Sequence, residues 1–203
     1  MGGICIGLGG SAYLCTQNQI FGAFLFSVGL FTICSMNFNL FTGKVAYVFE
    51  SKPDYLIDVL FVWLGNLVGT FGVAKVLSFT RIGGGMRDRA EVICVTKLSD
   101  SLLSLFILAI FCNMLIFIAV DVYKKSSHEI GKYLALILGV TAFIMCGFEH
   151  SVADMFYFSV ADVWSLKAVG CLLIITLGNA VGGVLIPLFR MAHEKLNKDK
   201  LEF

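Results

Sequence analysis

The chain has 203 residues, of which 58% are hydrophobic and only 14% charged, with a mean hydropathy of +0.89. Soluble domains carry roughly 25% charged residues, so the composition excludes a soluble globule and indicates an integral membrane protein, with 21 Gly and 19 Phe suited to closely packed helices. A formal net charge of +1 gives no electrostatic basis for a nucleic-acid partner.

A membrane-crossing helix takes about 20 apolar residues, so the length accommodates six crossings and short loops. The first apolar run, Gly2 to Leu14, is Gly-rich and short for a crossing, as if the start of its helix were missing. No basic segment precedes it, which speaks against a cleavable signal peptide. After the polar Gln17-Asn18-Gln19, a Phe-rich helix is expected from Ile20 to Ser35. It is interrupted by Asn37-Phe38-Asn39-Leu40-Phe41-Thr42-Gly43-Lys44 and resumes at Val45 to Phe49. Irregular backbone at membrane depth is tolerated only where protein buries it or a cavity receives it, so the interruption reads as a broken helix that serves a pathway.

Glu50 to Asp54 is a turn, and the third crossing runs from Tyr55 to about Phe79. Gly83-Gly84-Gly85 reads as a flexible tether, since neither a preceding strand nor a following G-K-[ST] makes it a phosphate loop. Arg87 to Lys97 reads as a short amphipathic helix at the membrane interface. The fourth crossing covers Leu102 to Val122, and the basic loop Lys124 to Lys132 follows. The fifth runs from Tyr133 towards His150, is broken at Ser151 to Asp154 and resumes over Met155 to Val160. The sixth spans Ser165 to Leu188, ahead of a charged, soluble tail, 191–203.

Two landmarks recur in the same order. Leu64-Gly65-Asn66-x-Val68-Gly69 returns as Leu177-Gly178-Asn179-x-Val181-Gly182, and the broken stretch Asn39 to Thr42 aligns with His150 to Ala153. Residues 1–100 and 101–190 are therefore two halves of one channel domain. Three crossings per half make the second half enter from the opposite face, an inverted repeat whose discontinuous helices meet near the midplane. With both termini cytoplasmic, most of the 15 Lys and Arg fall inside. Arg81, Arg87 and Arg89 are the exception, and an outer cationic vestibule for anions would account for them.

His150 is the one histidine deep in an apolar run, because His128 and His193 lie in polar segments. Ionisable groups at that depth are costly and usually functional, although a buried His can also be a polar link between helices. Lys97 alone could snorkel to headgroups. The seven Cys are scattered without a C-x-x-C pair and read as small hydrophobes.

These motifs together resemble the formate/nitrite transporter family of pentameric anion channels, whose members also include lactate and hydrosulfide channels. The resemblance extends from about Gly2 to Arg190. It rests on Leu40-Phe41-Thr42-Gly43, Cys112-Asn113, the stretch Gly147-Phe148-Glu149-His150-Ser151-Val152-Ala153, and Gly178-Asn179 with Gly182-Gly183. It implies an all-α membrane fold of six crossings with an aquaporin-like inverted 3+3 repeat, its second and fifth helices broken, one pore in each protomer of a homopentamer, a plasma-membrane location and no cofactor. By motif, Leu40, Phe41 and Ile116 would form the cytoplasmic constriction and Phe26, Leu30 and Phe143 the outer one. Thr42, Asn113 and Asn179 would be polar groups of a central chamber, Lys97 a lysine near the outer pore, and Glu149 a structural residue.

Asp154 departs from the family, which usually has Asn there, and the family's helix before the first crossing is absent. On this reading His150, with a reference pKa near ~6.5, is a proton donor. It would turn a small monovalent anion such as formate, hydrosulfide or nitrite into a neutral acid that crosses the apolar rings at lower cost. The alternatives are an intramembrane redox or enzymatic protein, which would need paired ligands or a nucleophile–base pair, and a purely structural subunit, which would not need two broken helices.

Overall fold

The structure, a computed structural model, describes residues 1–201. It is all helical. Among the described residues the helices run in order as α1 (Gly2–Cys15), α2 (Gln19–Ser35), α3 (Phe41–Val45), α4 (Tyr55–Ser78), α5 (Gly83–Ser99), α6 (Leu102–Lys125), α7 (Glu129–Met145), α8 (Ser151–Ala161) and α9 (Leu166–Leu201). Three of them, α4, α6 and α9, are long and apolar enough to cross a membrane unaided. Helices α2 with α3, and α7 with α8, are the two broken crossings, and α5 joins the halves.

The repeat is sharper in the backbone than in the letters. Helix α2 ends with Met36 N–H donating to Thr32 O, Asn37 at φ 60°, and Phe38 N–H reaching back to Ile33 O. Helix α7 ends the same way, with Cys146 to Ala142, Gly147 at φ 67°, and Phe148 to Phe143. This is the left-handed helix stop that Gly or Asn accommodates best. The register places Asn37 with Gly147 and Leu40 with His150, one residue away from the alignment expected from the sequence. Each of that last pair sits in extended backbone, at φ −119° and −113°, as the residue before its short helix.

Within each half the long helices meet through glycine. A Cβ on Gly69 of α4 would fall 2.9 Å from Ile4 N of α1, and one on Gly182 of α9 would fall 2.0 Å from Ile110 O of α6. Such small-residue contacts let helices associate where lipid removes the hydrophobic drive. The halves join where α4 packs on α8, α2 on α7 and α3 on α9. At that seam Trp63 Nε1–H donates to Thr176 Oγ1 at 3.2 Å.

Three expectations change. Gly83-Gly84-Gly85 is not a tether but the first turn of α5, and Gly83 lies so close to the end of α4 that a Cβ would sit 2.8 Å from Leu77 O. Helix α5 does not merely rest at an interface: Met86, Ala90 and Cys94 are buried, with the helix packed on α8 and α1. The tail is not a separate segment as far as it is described. Helix α9 continues through Pro187 to Leu201, and Arg190 donates to both carboxylate oxygens of Asp121 on α6, at 3.3 and 2.7 Å. The last two residues of the expected tail lie outside the described residues.

Gly182→Ala should therefore be costly, whereas Gly65, with open space around its Cα, should accept alanine. Overpacking of about 1–3 kcal/mol corresponds to a fall of roughly 2–12 °C in the thermal midpoint of a chain this size. Melting curves of the two purified variants in detergent check this.

Candidate functional site

The two breaks leave backbone groups that no helix satisfies, and one asparagine closes each of them. Asn66 of α4 accepts from Phe41 N–H at 2.9 Å and donates to Asn39 O at 3.2 Å. Asn179 of α9 accepts from Ser151 N–H and donates to Glu149 O, both at 2.8 Å, and also donates to Ala109 O at 2.8 Å. Each amide thus grips the residues on either side of Leu40 or of His150. Asn113 of α6 ties the halves together, its Nδ2 donating to Thr42 O at 3.1 Å and Asn179 O at 2.7 Å.

The sequence reading gave the amides of Asn113 and Asn179 to a passing anion. In the structure their N–H donors are engaged by main-chain carbonyls, so both act as staples. Asn66 performs the same task and escaped the site list, although its place in the repeated Leu-Gly-Asn was the signal. Among the described residues, the buried side-chain atoms left without a hydrogen-bond partner include Asn113 Oδ1, Ser151 Oγ and Asp154 Oδ2. The hydroxyl of Ser151 is the uncommitted donor beside the break, and it too was missed.

His150 is 2% exposed. Its Nδ1 accepts from Ala153 N–H at 3.2 Å, capping α8, and its Nε2 lies 3.1 Å from Thr42 Oγ1 across the seam. An accepting Nδ1 places the ring proton on Nε2, so the neutral ring points its N–H at Thr42. Phe143 stacks on the ring with centroids 5.5 Å apart, and Phe26 meets Phe143 edge-on at 6.1 Å.

Two cavities approach this centre. The first, about 280 Å³, opens beside Tyr13 and Gln19 and reaches Lys97, Phe143, Glu149, His150 and Asp154. The second, about 340 Å³, opens beside Lys44 and Lys124 and ends on Leu30 and Leu40. The pseudo-equivalent residues His150 and Leu40 thus each face one cavity. Thr42, Phe26, Phe41 and Ile116 are buried and line neither of the two. Of the residues expected at an outer ring, Phe26 and Phe143 meet, whereas Leu30 faces the Leu40 cavity.

Lys97 reaches inward from α5 and is only 11% exposed. It pairs with Glu149 and lies 2.9 Å from Asp154 Oδ1, and those carboxylate side chains are 5% and 1% exposed. It therefore does not snorkel to headgroups, and Glu149 binds a side chain of a neighbouring helix.

The fold and the paired breaks define a channel-type membrane protein built as an inverted repeat. The model of the formate/nitrite transporter family matches residues 1–192, and the chain belongs to that family. Among its relatives, a probable formate transporter from Methanothermobacter thermautotrophicus is 31% identical over 199 residues, covering 82% of this chain and 71% of that one. An ion channel of the same family superposes with a TM-score of 0.80 at 27% identity, covering 92% of this chain and 84% of the other. A pentameric formate channel with formate bound shares the fold, with a TM-score of 0.77 at 24% identity and coverage of 97% and 93%.

Loss of the Asn179 staple leaves Ser151 N–H buried without an acceptor and two carbonyls without this donor. At about 1–3 kcal/mol for an unsatisfied buried group, Asn179→Ala should destabilise more than Asn66→Ala, which loses two bonds instead of three. Hydrogen exchange at the Ser151 amide should accelerate in the first variant and not in the second.

Proposed function

We propose that the protein conducts small monovalent anions of weak acids, such as formate, hydrosulfide or nitrite, through each protomer of a homopentamer in the plasma membrane, with proton transfer at His150. The observation that carries this reading is the pair of cavities, one lined by His150 and the other by Leu40, which we read as the two ends of a pore whose neck is the buried Phe41, Thr42 and Ile116. An ion entering that neck would lose its water with only the Nε2–H of His150 and the hydroxyls of Thr42 and Ser151 in compensation, and a bare buried charge is expensive. A neutral acid needs no such compensation.

The imidazole supplies the proton when charged, and charging requires Nδ1 to release Ala153 N–H. The loss is comparable to that of a helix cap, ~1 kcal/mol, and adds to the cost of a buried imidazolium. The narrowness of the Phe26–Phe143 contact favours the smallest anions. Relatives that transport or bind formate support that class, and the positive-inside distribution supports cytoplasmic termini.

His150→Asn retains a capping acceptor and a donor but cannot give up a proton. In liposomes, flux of formate in the wild type should rise as pH falls, because proton supply rises. The variant should be slower by about tenfold or more, the equivalent of 1.4 kcal/mol, and flat with pH. Equal rates and equal pH profiles would remove the proposal, and a panel of formate, nitrite, hydrosulfide and lactate at two pH values would rank the substrates.

A further inference from the structure

A buried group of three ionisable side chains stands beside His150 with an uneven balance. Lys97 brings one positive charge, and Glu149 and Asp154 bring two carboxyls, both nearly sealed from water. All three line the same cavity as His150. If both acids were ionised, the group would carry a buried net charge of −1. Asp154 lies in the first turn of α8, where the helix end supplies about half a positive charge, and that offsets only part of the deficit.

The other ionisable groups around α8 do not repair it. Helix α5 adds the thiol of Cys94, α6 that of Cys112, and α1 and α8 the phenols of Tyr13 and Tyr157, none of them cationic, while the α5 arginines are engaged elsewhere, Arg87 with Glu91 and Arg89 with Leu14 O and Thr16 O. From α4, Lys75 is held by Asp162 just beyond the far end of α8, at 3.2 Å, and from α9, Lys167 lines a different pocket. His150 is uncharged while its Nδ1 accepts from Ala153. Lys97 reaches only Oδ1 of Asp154, and Oδ2 has no partner, an arrangement costly for a buried carboxylate and natural for one that holds a proton.

We propose that Lys97, Glu149 and Asp154 hold one proton beyond the lysine's own, shared by the two carboxyls, and that this proton replaces the one His150 gives to the anion. The inference rests on the transport reading above and names the source of its proton. A neutral imidazole has a single ring proton and cannot give it away without becoming an anion, so a store within the same cavity resolves the shortage. In the step, a carboxyl O–H bond breaks and its proton goes to Nδ1 of His150, while the anion takes the proton of Nε2. The neutral acid leaves through the neck, and a carboxylate remains opposite Lys97. Water in the cavity then returns a proton from the bulk, and nothing is oxidised or reduced.

Infrared spectroscopy of the purified protein at neutral pH tests the store without transport. Among the residues whose side chains are described, the remaining carboxyls are surface groups or, like Asp121, paired with cations. The wild type should show the C=O stretch of a protonated carboxyl. Asp154→Asn and Glu149→Gln should each lose it, because one acid then balances one lysine. Absence of the band from the wild type, or its persistence in both variants, would overturn the proposal whatever the flux. In liposomes, proton-coupled formate uptake by Asp154→Asn should fall by about tenfold and lose its pH dependence, while melting stays close to wild type because the amide fills the same space. Unchanged coupled uptake in a variant that has lost the band would show that the stored proton does not reach the anion, and would overturn the delivery step.

Discussion

Everything in this molecule follows from the requirement that a chain broken inside an apolar slab must leave no backbone group without a partner. Helices α2 and α7 stop within the protein, and five residues outside any helix follow each before the next helix starts. Two asparagines, at equivalent places on α4 and α9, take up the carbonyl before and the amide after the central residue of each break. Because those amides are rigidly held, the residue between them is presented at a fixed depth. One break presents Leu40 and the other His150, so the same device yields a greasy stop facing one cavity and an imidazole facing the other.

The second constraint is charge. Lys97, Glu149 and Asp154 lie where water is scarce, and each would be costly alone, by several kcal/mol per ion. Their mutual pairing makes the arrangement tolerable and fixes α5 against α8 at the point where the two halves of the chain join. It also changes the character of the first cavity. A lone lysine would make it an anion trap, whereas a lysine shared by two acids leaves it near neutral. An anion bound there is held weakly enough to move on, which conduction requires.

Much of this was legible in the letters. Hydropathy located the crossings, the polar interruptions located both breaks, and the repeated Leu-Gly-Asn with a distant His revealed an inverted repeat. The register slipped by one, because Asn37 and Gly147 look unlike each other and share only a backbone conformation. Gly83-Gly84-Gly85 looked like a tether because glycine disfavours helices in water. Here the absent Cβ lets α5 begin hard against the end of α4. Asn113 and Asn179 were recognised as important, but whether an amide faces a solute or a carbonyl depends on contacts from helices about 70 residues away in the chain.

The sequence by itself determined that this is an all-helical inverted repeat with a histidine at one of its two breaks, because burial in lipid allows few residue types at depth and makes each polar one conspicuous. Only the tertiary structure decided what those polar residues do. It spent the asparagines on the backbone, turned Lys97 towards two acids, and set His150 as both a helix cap and the wall of a cavity. Those outcomes depend on which groups meet between packed helices, and no local pattern encodes a distance between residues tens of positions apart.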